Sequence, residues 1–349
     1  MKKVFAILLA AAMLLSLTAC GGTAPETTAS ATQAPTTVPV ETTEAPAETT
    51  EAASAAPVNV MVLNGTTGFG MANLMDAAAN GSASQDYSFS VETDASNIVA
   101  ALVNGSVDIA ALPTNAAAAV YNKTQGGVQV LALNTLGVLY LVTDGSVEIN
   151  SMADLAGQTV YAPAQNPCFI FQHIVQANGL TDVSIDNTYA QPADLNAAVA
   201  SGQVSIAVLP EPMVTVAKSK NPDLVVALDL TAEWDKVSAE GSLVQGCVVV
   251  RKEFAEANPD AVAAFLEAYG ESIQNMMDDV EGTAAKIQEC GIFAQAAVAA
   301  KAIPNCNVCF IAGAEMKTAL AEFMSIMFEV APASVGGNIP ADDFYYIAE

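Results

Sequence analysis

The chain has 349 residues, 52% of them hydrophobic, and its 37 acidic and 11 basic side chains give a formal net charge of −26. This balance excludes the basic footprint of a nucleic-acid-binding protein and argues against electrostatic docking on anionic lipid. The acidic surface instead favours solubility, and the length is enough for two modest domains or one two-lobed unit.

The N-terminus predicts export and lipid anchoring. Two lysines precede an apolar segment, Phe5–Leu17, that is too short to span a bilayer. The four residues Leu17–Cys20 resemble a bacterial lipobox. This resemblance implies a signal peptide at residues 1–19 and a lipid on Cys20 that anchors the protein to the bacterial cell membrane, outside the cytoplasm. The alternative is a secreted protein in which the cysteine stands by coincidence.

Residues 20–57 predict a disordered tether. After the cysteine they consist almost wholly of Ala, Thr, Pro, Glu, Ser and Gly, and they contain no aromatic side chain. A segment of this composition buries too little apolar surface to offset the entropy of ordering it. It would join the lipid to the folded body, with or without glycans on its threonines.

The remaining sequence predicts an α/β fold, because apolar strands alternate with helical segments. The first strand, Val58–Leu63, leads through a Gly-rich turn into a helix that starts at Met71. We expect Ser96 to cap the next helix, and Asn258 with Pro259 to start a strong amphipathic one. Further strands are predicted at Tyr87–Val91, Val107–Leu112, Val128–Leu133, Gly137–Thr143, Thr159–Ala162, Ser184–Tyr189, Leu224–Leu228 and Cys247–Arg251.

One segment of the chain occurs twice. Ala100–Pro113 aligns without a gap on Ala197–Pro210, and eight of the fourteen positions are identical. Each copy predicts a helix end, a glycine at the left-handed cap, a short apolar strand and a turn marked by proline. We infer two similar α/β lobes that face each other across a cleft.

The turns at the strand ends supply the candidate binding site. Ligands of open α/β sheets bind beyond the carboxyl ends of the strands, so the turns after the two repeat prolines should line one cleft. No basic residue occurs in these turns, which favours a neutral, heteroaromatic or weakly anionic solute and even permits a cationic one beside a glutamate. The candidate ligand-binding residues are Gly65, Thr66, Thr67, Gly68, Phe69, Thr114, Asn115, Gln165, Asn166 and Glu211.

Several candidates have a purely structural alternative. The glycines of the first turn either present N–H groups to an anion or only make a tight turn. Phe69 either stacks on a ligand ring or packs inward, and Trp234 is open to the same two interpretations. Glu211 either accepts a hydrogen bond from the ligand or caps the helix that begins at Pro212.

Metal binding and catalysis find little support. Five cysteines remain after the lipidated one, and Cys290 could pair with Cys306 or Cys309, although the spacing does not fix the connectivity. The last two also form a Cys-x-x-Cys with no second half of a zinc motif. Cys168 and the single histidine, His173, are five residues apart and do not share a helix face. We expect no metal, no cofactor and no enzyme activity.

Taken in order, several stretches resemble the extracellular solute-binding proteins of ABC importers, which have the type 2 periplasmic-binding fold. Within that family the resemblance is to the nitrate/sulfonate/taurine and thiamine-pyrimidine (SsuA/THI5-like) group. No single motif is diagnostic, but the order and spacing are fairly specific. The stretches are Leu102–Ala110, Ser151–Val160, Glu211–Pro212 with Asn221–Leu224, Val249–Phe254 with Asn258–Pro259, and Gly336–Pro340.

The resemblance implies two lobes joined by a hinge, with residues 58–143 plus 240–349 in lobe 1 and residues 144–239 in lobe 2. It implies high-affinity capture of a small solute, such as a sulfonate, nitrate or a pyrimidine, by a monomer that delivers it to an ABC permease. Lobe closure would produce the form that the transporter recognises. The alternatives are a sensory or adhesive surface lipoprotein of the same fold and, with less support, a thiamine-pyrimidine-related enzyme.

Overall fold

Two β-sheets with matching strand order organise the structure, a computed structural model that describes residues 57–348. Apolar residues recur along every central strand, and the helices cover the sheet faces. The predicted signal peptide, the Cys20 lipidation site and the tether up to residue 56 lie outside the described residues. The strands are β1 (Val58–Leu63), β2 (Tyr87–Glu92), β3 (Ile109–Pro113), β4 (Val128–Thr135), β5 (Leu139–Thr143), β6 (Thr159–Tyr161), β7 (Ser184–Asp186), β8 (Ile206–Pro210), β9 (Val225–Asp229), β10 (Gly246–Arg251) and β11 (Val308–Ala312).

The helices follow the strands in alternation through most of the chain, and a helical region completes the C-terminal part. Short 3₁₀ turns occur at Met152–Leu155, Ile303–Asn305, Pro332–Val335 and Asp342–Phe344. The α-helices are α1 (Thr66–Phe69), α2 (Ala72–Ala79), α3 (Ala95–Asn104), α4 (Thr114–Thr124), α5 (Asn166–Ala177), α6 (Pro192–Ala200), α7 (Met213–Lys220), α8 (Leu230–Asp235), α9 (Lys252–Ala257), α10 (Pro259–Asp278), α11 (Val280–Glu289), α12 (Ala296–Ala302) and α13 (Gly313–Val330).

The two sheets share one topology. The first has the order β2-β1-β3-β10-β4-β11, and the second has the order β7-β6-β8-β5-β9. In each sheet the first three strands are parallel, and the fourth runs antiparallel to both of its neighbours. The fourth strand in each case comes from the chain segment that leads between the two halves. The predicted pair of similar α/β lobes is therefore present.

The sequence repeat occupies equivalent places in the two sheets. The first copy comprises the end of α3 together with β3, and the second comprises the end of α6 together with β8. The two terminal prolines even have the same register, because Pro113 pairs with Gly246 of β10 and Pro210 pairs with Leu139 of β5. Gly105 and Gly202 adopt the positive φ angles, 76° and 73°, that end the repeat helices.

Two details differ from the sequence-based expectations, and a third is confirmed only in part. Strand β5, placed by sequence in lobe 1 (residues 58–143), is hydrogen-bonded within the second sheet, so the chain crosses between the halves at residues 136–138. Helix α3 is capped by Asp94, whose side chain accepts a hydrogen bond from the backbone N–H of Ser96, and not by Ser96 itself. Asn258 and Pro259 do start α10, with Asn258 at the N-cap, but the Asn258 side chain makes no capping hydrogen bond and its amide instead donates to Phe254 O at the end of α9.

The hydrophobic core is continuous across the two halves. Helix α13 follows β11 of the first sheet, yet the ring of its Phe323 packs on Trp234 of α8 with a centroid distance of 5.8 Å. Trp234 is fully buried, its indole N–H donates to Ser242, and its other face meets the ring of His173. These contacts decide the two interpretations of Trp234 in favour of packing.

Candidate functional site

The strand ends of the two halves meet at one cleft of about 440 Å³. Pro113 and Pro210, which close the two sequence repeats, both line it. The remaining lining residues come from the turns after β1, β2, β4, β6, β7 and β8, from the segment before β10, and from the loop before α12. They are Leu63, Asn64, Gly65, Thr66, Thr67, Thr93, Thr135, Val138, Asn166, Pro167, Gln191, Pro192, Ala193, Glu211, Pro212, Met213, Gln245 and Phe293.

The turn after β1 forms the wall on the first half. Gly65 has a φ of 83°, a conformation that side chains with a Cβ rarely adopt, and it brings the chain directly into α1. Gly68 packs so close to the end of β1 that an added Cβ would lie 2.4 Å from Leu63 O. Thr66 is buried, and its hydroxyl donates to Glu211 O of the other half at 2.8 Å. The turn is therefore both a tight connection and part of the cleft wall.

The first turn of α5 forms the opposite wall. Gln165 precedes it with a φ of 68° and is exposed outside the cleft lining, whereas Asn166 is buried and lines the cleft. The Asn166 Oδ1 atom is inaccessible to solvent and has no hydrogen-bond donor within the described residues. Buried amide oxygens are usually paired, so this unpaired acceptor is an exception in the cleft wall.

Glu211 is the one ionisable side chain among the lining residues. Its carboxylate accepts hydrogen bonds from the backbone N–H of Thr215 at 3.1 Å and from the Thr215 hydroxyl at 2.9 Å. Burial raises the pKa of this carboxyl above its usual value, and the two hydrogen bonds from Thr215 offset part of that shift. The carboxylate thus caps the start of α7, which was one of the two roles predicted for Glu211. The residue also lines the cleft.

The ten predicted site residues divide into two groups. Gly65, Thr66, Thr67, Asn166 and Glu211 line the cleft. The other five are Gly68, Phe69, Thr114, Asn115 and Gln165, which do not line it.

The structure gives a packing role to two residues of the second group. Phe69 is fully buried with its ring edge-on to Phe293, so it packs inward, the second of its two interpretations. Thr114 is also buried, and its hydroxyl donates to Val244 O. Whether the lining residues bind a ligand stays a prediction.

Sequence reasoning missed the residues that belong to no obvious motif. Gln191 with Pro192 follows β7 and could have been found, because this turn matches Thr93 at the corresponding strand end of the first half. Gln245 lies in the crossover before β10, where its side chain accepts from the backbone N–H of Val138 at 2.8 Å. Phe293 comes from a loop far along the chain, and no local signal places it here.

The cysteines and the histidine form no reactive group. All five described cysteines are free thiols, so the suggested pairing of Cys290 with Cys306 or Cys309 is absent. Cys168 lies near Asn187, and His173 shares a hydrogen bond with Ser238. Within residues 57–348 no cluster of His, Cys, Asp or Glu has the geometry of a metal site. No described helix has the length and apolar character that crossing a bilayer requires.

Comparisons with solved structures show the fold. The crystal structure of an ABC transporter from Parabacteroides distasonis is 24% identical with a TM-score of 0.72, over 84% of this chain and 99% of that one. The periplasmic aliphatic sulphonate binding protein SsuA from Escherichia coli is 16% identical with a TM-score of 0.67, over 81% and 96%. A Candida albicans protein, CA3427, described as having the generic periplasmic binding protein fold, is 12% identical with a TM-score of 0.54, over 83% and 93%.

A search of the curated proteins returns no significant match. The family model described as NMT1/THI5 like matches residues 86–282, which is 197 of the 349 residues. That segment runs from β2 to α11, and it includes both copies of the repeat and most of the turns that line the cleft. The chain therefore belongs to the NMT1/THI5-like family and has the fold of periplasmic binding proteins.

Proposed function

We propose that this protein captures a small solute outside the cytoplasm and delivers it to an ABC importer. The observation that carries the proposal is the cleft itself. The prolines that end the two sequence repeats hold equivalent positions in the two sheets, and both line the same cavity. A cavity of about 440 Å³ lies in the usual range for small-molecule sites. The family supports this proposal, since the neighbouring structures carry descriptions of ABC transport and sulfonate binding.

The route of delivery rests on the N-terminal sequence. A lipid on Cys20 would hold a monomeric receptor at the cell membrane, and the residues up to 57 would let the cleft reach a permease. The two halves are joined by two crossovers, at residues 136–138 and 236–245, which is the arrangement of a hinged binding protein.

Native mass spectrometry of the gently purified protein tests this function directly. We expect a bound small molecule that dissociates on activation, and we expect the same molecule to raise the unfolding temperature when it is added back. A protein that carries no solute, and that no metabolite from a broad panel of sulfonates, nitrate, pyrimidines and amino acids stabilises, would count against solute capture.

A further inference from the structure

The cleft holds a buried negative charge without a positive partner. Glu211 is only 5% exposed, and its carboxylate is bonded by Thr215 alone through two neutral donors. Among the lining residues there is no lysine, arginine or histidine. A buried carboxylate without a cation is costly, because desolvation is compensated only by hydrogen bonds. A cationic ligand would remove this cost.

A second buried acceptor lies on the same half of the cleft as Glu211. Asn166 is 7% exposed, and its Oδ1 has no donor within the described residues. Both Asn166 and Glu211 line the cavity, one from the start of α5 and the other from the segment before α7. A buried carboxylate without a cation and an amide oxygen without a donor both favour a ligand that brings N–H groups.

The helix starts on the second half are poorly suited to an anion. Pro167 and Pro192 stand in the first turns of α5 and α6, where each removes a backbone N–H that could bind a negative group. The start of α6 also carries Asp194, and the start of α7 already holds the carboxylate of Glu211. The helix N-termini that could bind an anion without the help of an arginine are therefore weakened or already occupied.

About half of the lining is apolar, and the other lining side chains, apart from Glu211, carry no charge. The apolar part includes five prolines together with other aliphatic, sulfur-containing and aromatic side chains. These are Leu63, Pro113, Val138, Pro167, Pro192, Ala193, Pro210, Pro212, Met213 and Phe293. Such a wall suits a ring or a short hydrocarbon body, with a few polar groups fixing its orientation.

We propose that the cleft selects a small protonated amine or amidine carried on an apolar body, and that it discriminates against oxyanions such as sulfonates. This inference rests on the proposed solute-binding function. Glu211 would pair with the cationic N–H group, and Asn166 Oδ1 would accept a further hydrogen bond. The overall negative charge of the protein would also concentrate cations near the cleft.

A matched series of probes on one ring tests the charge preference. Benzylamine and benzamidine carry a cation, benzyl alcohol is neutral, and benzenesulfonate carries the anion. We expect the two cations to bind at least about tenfold more tightly than the alcohol, and benzenesulfonate to bind most weakly. Affinities would be measured by ligand-observed NMR titration of the full mature protein at fixed ionic strength.

Two isosteric variants localise the effect. Glu211→Gln should abolish the preference for benzylamine over benzyl alcohol, because it removes the charge and keeps the shape. Glu256→Gln makes the same change at an exposed residue of α9 outside the lining, and it should leave the preference unchanged. If both variants lose the preference equally, or neither does, the cations bind to the acidic surface and the proposal is overturned.

Two further results would also overturn the proposal. One is tighter binding of benzenesulfonate than of benzylamine, and the other is no binding by any member of the series. Neither result bears on solute capture itself, since the co-purified molecule seen by native mass spectrometry decides that separately. An anionic co-purified solute would support the proposed function and reject the amine.

Discussion

At the scale of single residues, Glu211 combines a structural and a binding position. Its carbonyl accepts the bridging hydrogen bond from Thr66, while its carboxylate is buried against Thr215. The titratable groups near it are Tyr140 and Cys306, and burial raises the pKa of each, so both stay neutral at physiological pH. The raised pKa of Glu211 therefore reflects an unfavourable buried charge.

This charge predicts how stability depends on pH. A carboxyl whose pKa is higher in the folded state contributes stability below its unfolded pKa, and that stability is lost as the pH rises through the folded value. We expect Glu211→Gln to be more stable than the wild type at pH 7, because the amide can still accept from Thr215 without a charge to desolvate. The advantage should shrink toward about pH 4.5.

Denaturant unfolding of both proteins at the two pH values measures this difference. Glu256→Gln serves as the control, because it makes the same substitution at an exposed side chain of α9. An advantage of Glu211→Gln that grows as the pH falls would contradict the raised pKa.

The polar residues of the cleft were easier to predict than the aromatic ones. Thr66, Asn166 and Glu211 follow strands directly, so the chain direction alone brings them to the strand ends. The direction of Phe69 depends instead on the phase of a four-residue helix and on the distant partner Phe293. Local sequence does not contain that information.

At the scale of elements, β5 shows that a hydrophobic pattern predicts a strand but not the sheet to which it belongs. Its run of Leu, Tyr, Leu and Val predicts a buried strand, but this run fits either sheet equally well. The choice depends on its long-range partners β8 and β9, which lie more than sixty residues further along. The repeat units were predictable because each keeps helix, glycine, strand and proline within fourteen residues.

Helix α13 gives the second prediction at this scale. Phe323 is fully buried between α13 and Trp234, so Phe323→Ala should cost about 3–5 kcal/mol of unfolding free energy. Phe328 on the same helix is only partly buried, and Phe328→Ala should cost clearly less. Trp234 is the only tryptophan, so its fluorescence during denaturant unfolding reports on this contact. Equal losses in the two variants would show that α13 does not join the halves through this ring.

At the scale of the whole molecule, the two halves touch on both sides of the cleft. On one side, the backbone N–H of Val138 donates a hydrogen bond to the side-chain oxygen of Gln245, and this bond links the two crossovers. Tyr140 of β5 reaches across to donate to Asn305 O at 2.9 Å, and α7 packs against α12. These few polar contacts, unlike the apolar core around α13, can break and reform as a hinge moves.

The Thr66 hydroxyl provides a test of that movement. Because its bond to Glu211 O joins the two halves, Thr66→Val should remove about 0.5–1.5 kcal/mol from the closed arrangement and shift the closed-to-open ratio about two- to tenfold toward open. Small-angle X-ray scattering of the mature protein without added ligand should then give a larger radius of gyration. Thr67→Val, one residue along, is the control, since among the described contacts the Thr67 hydroxyl makes no bond to the other half. An unchanged radius in Thr66→Val would mean that the packing around α13, and not this hydrogen bond, sets the separation of the halves.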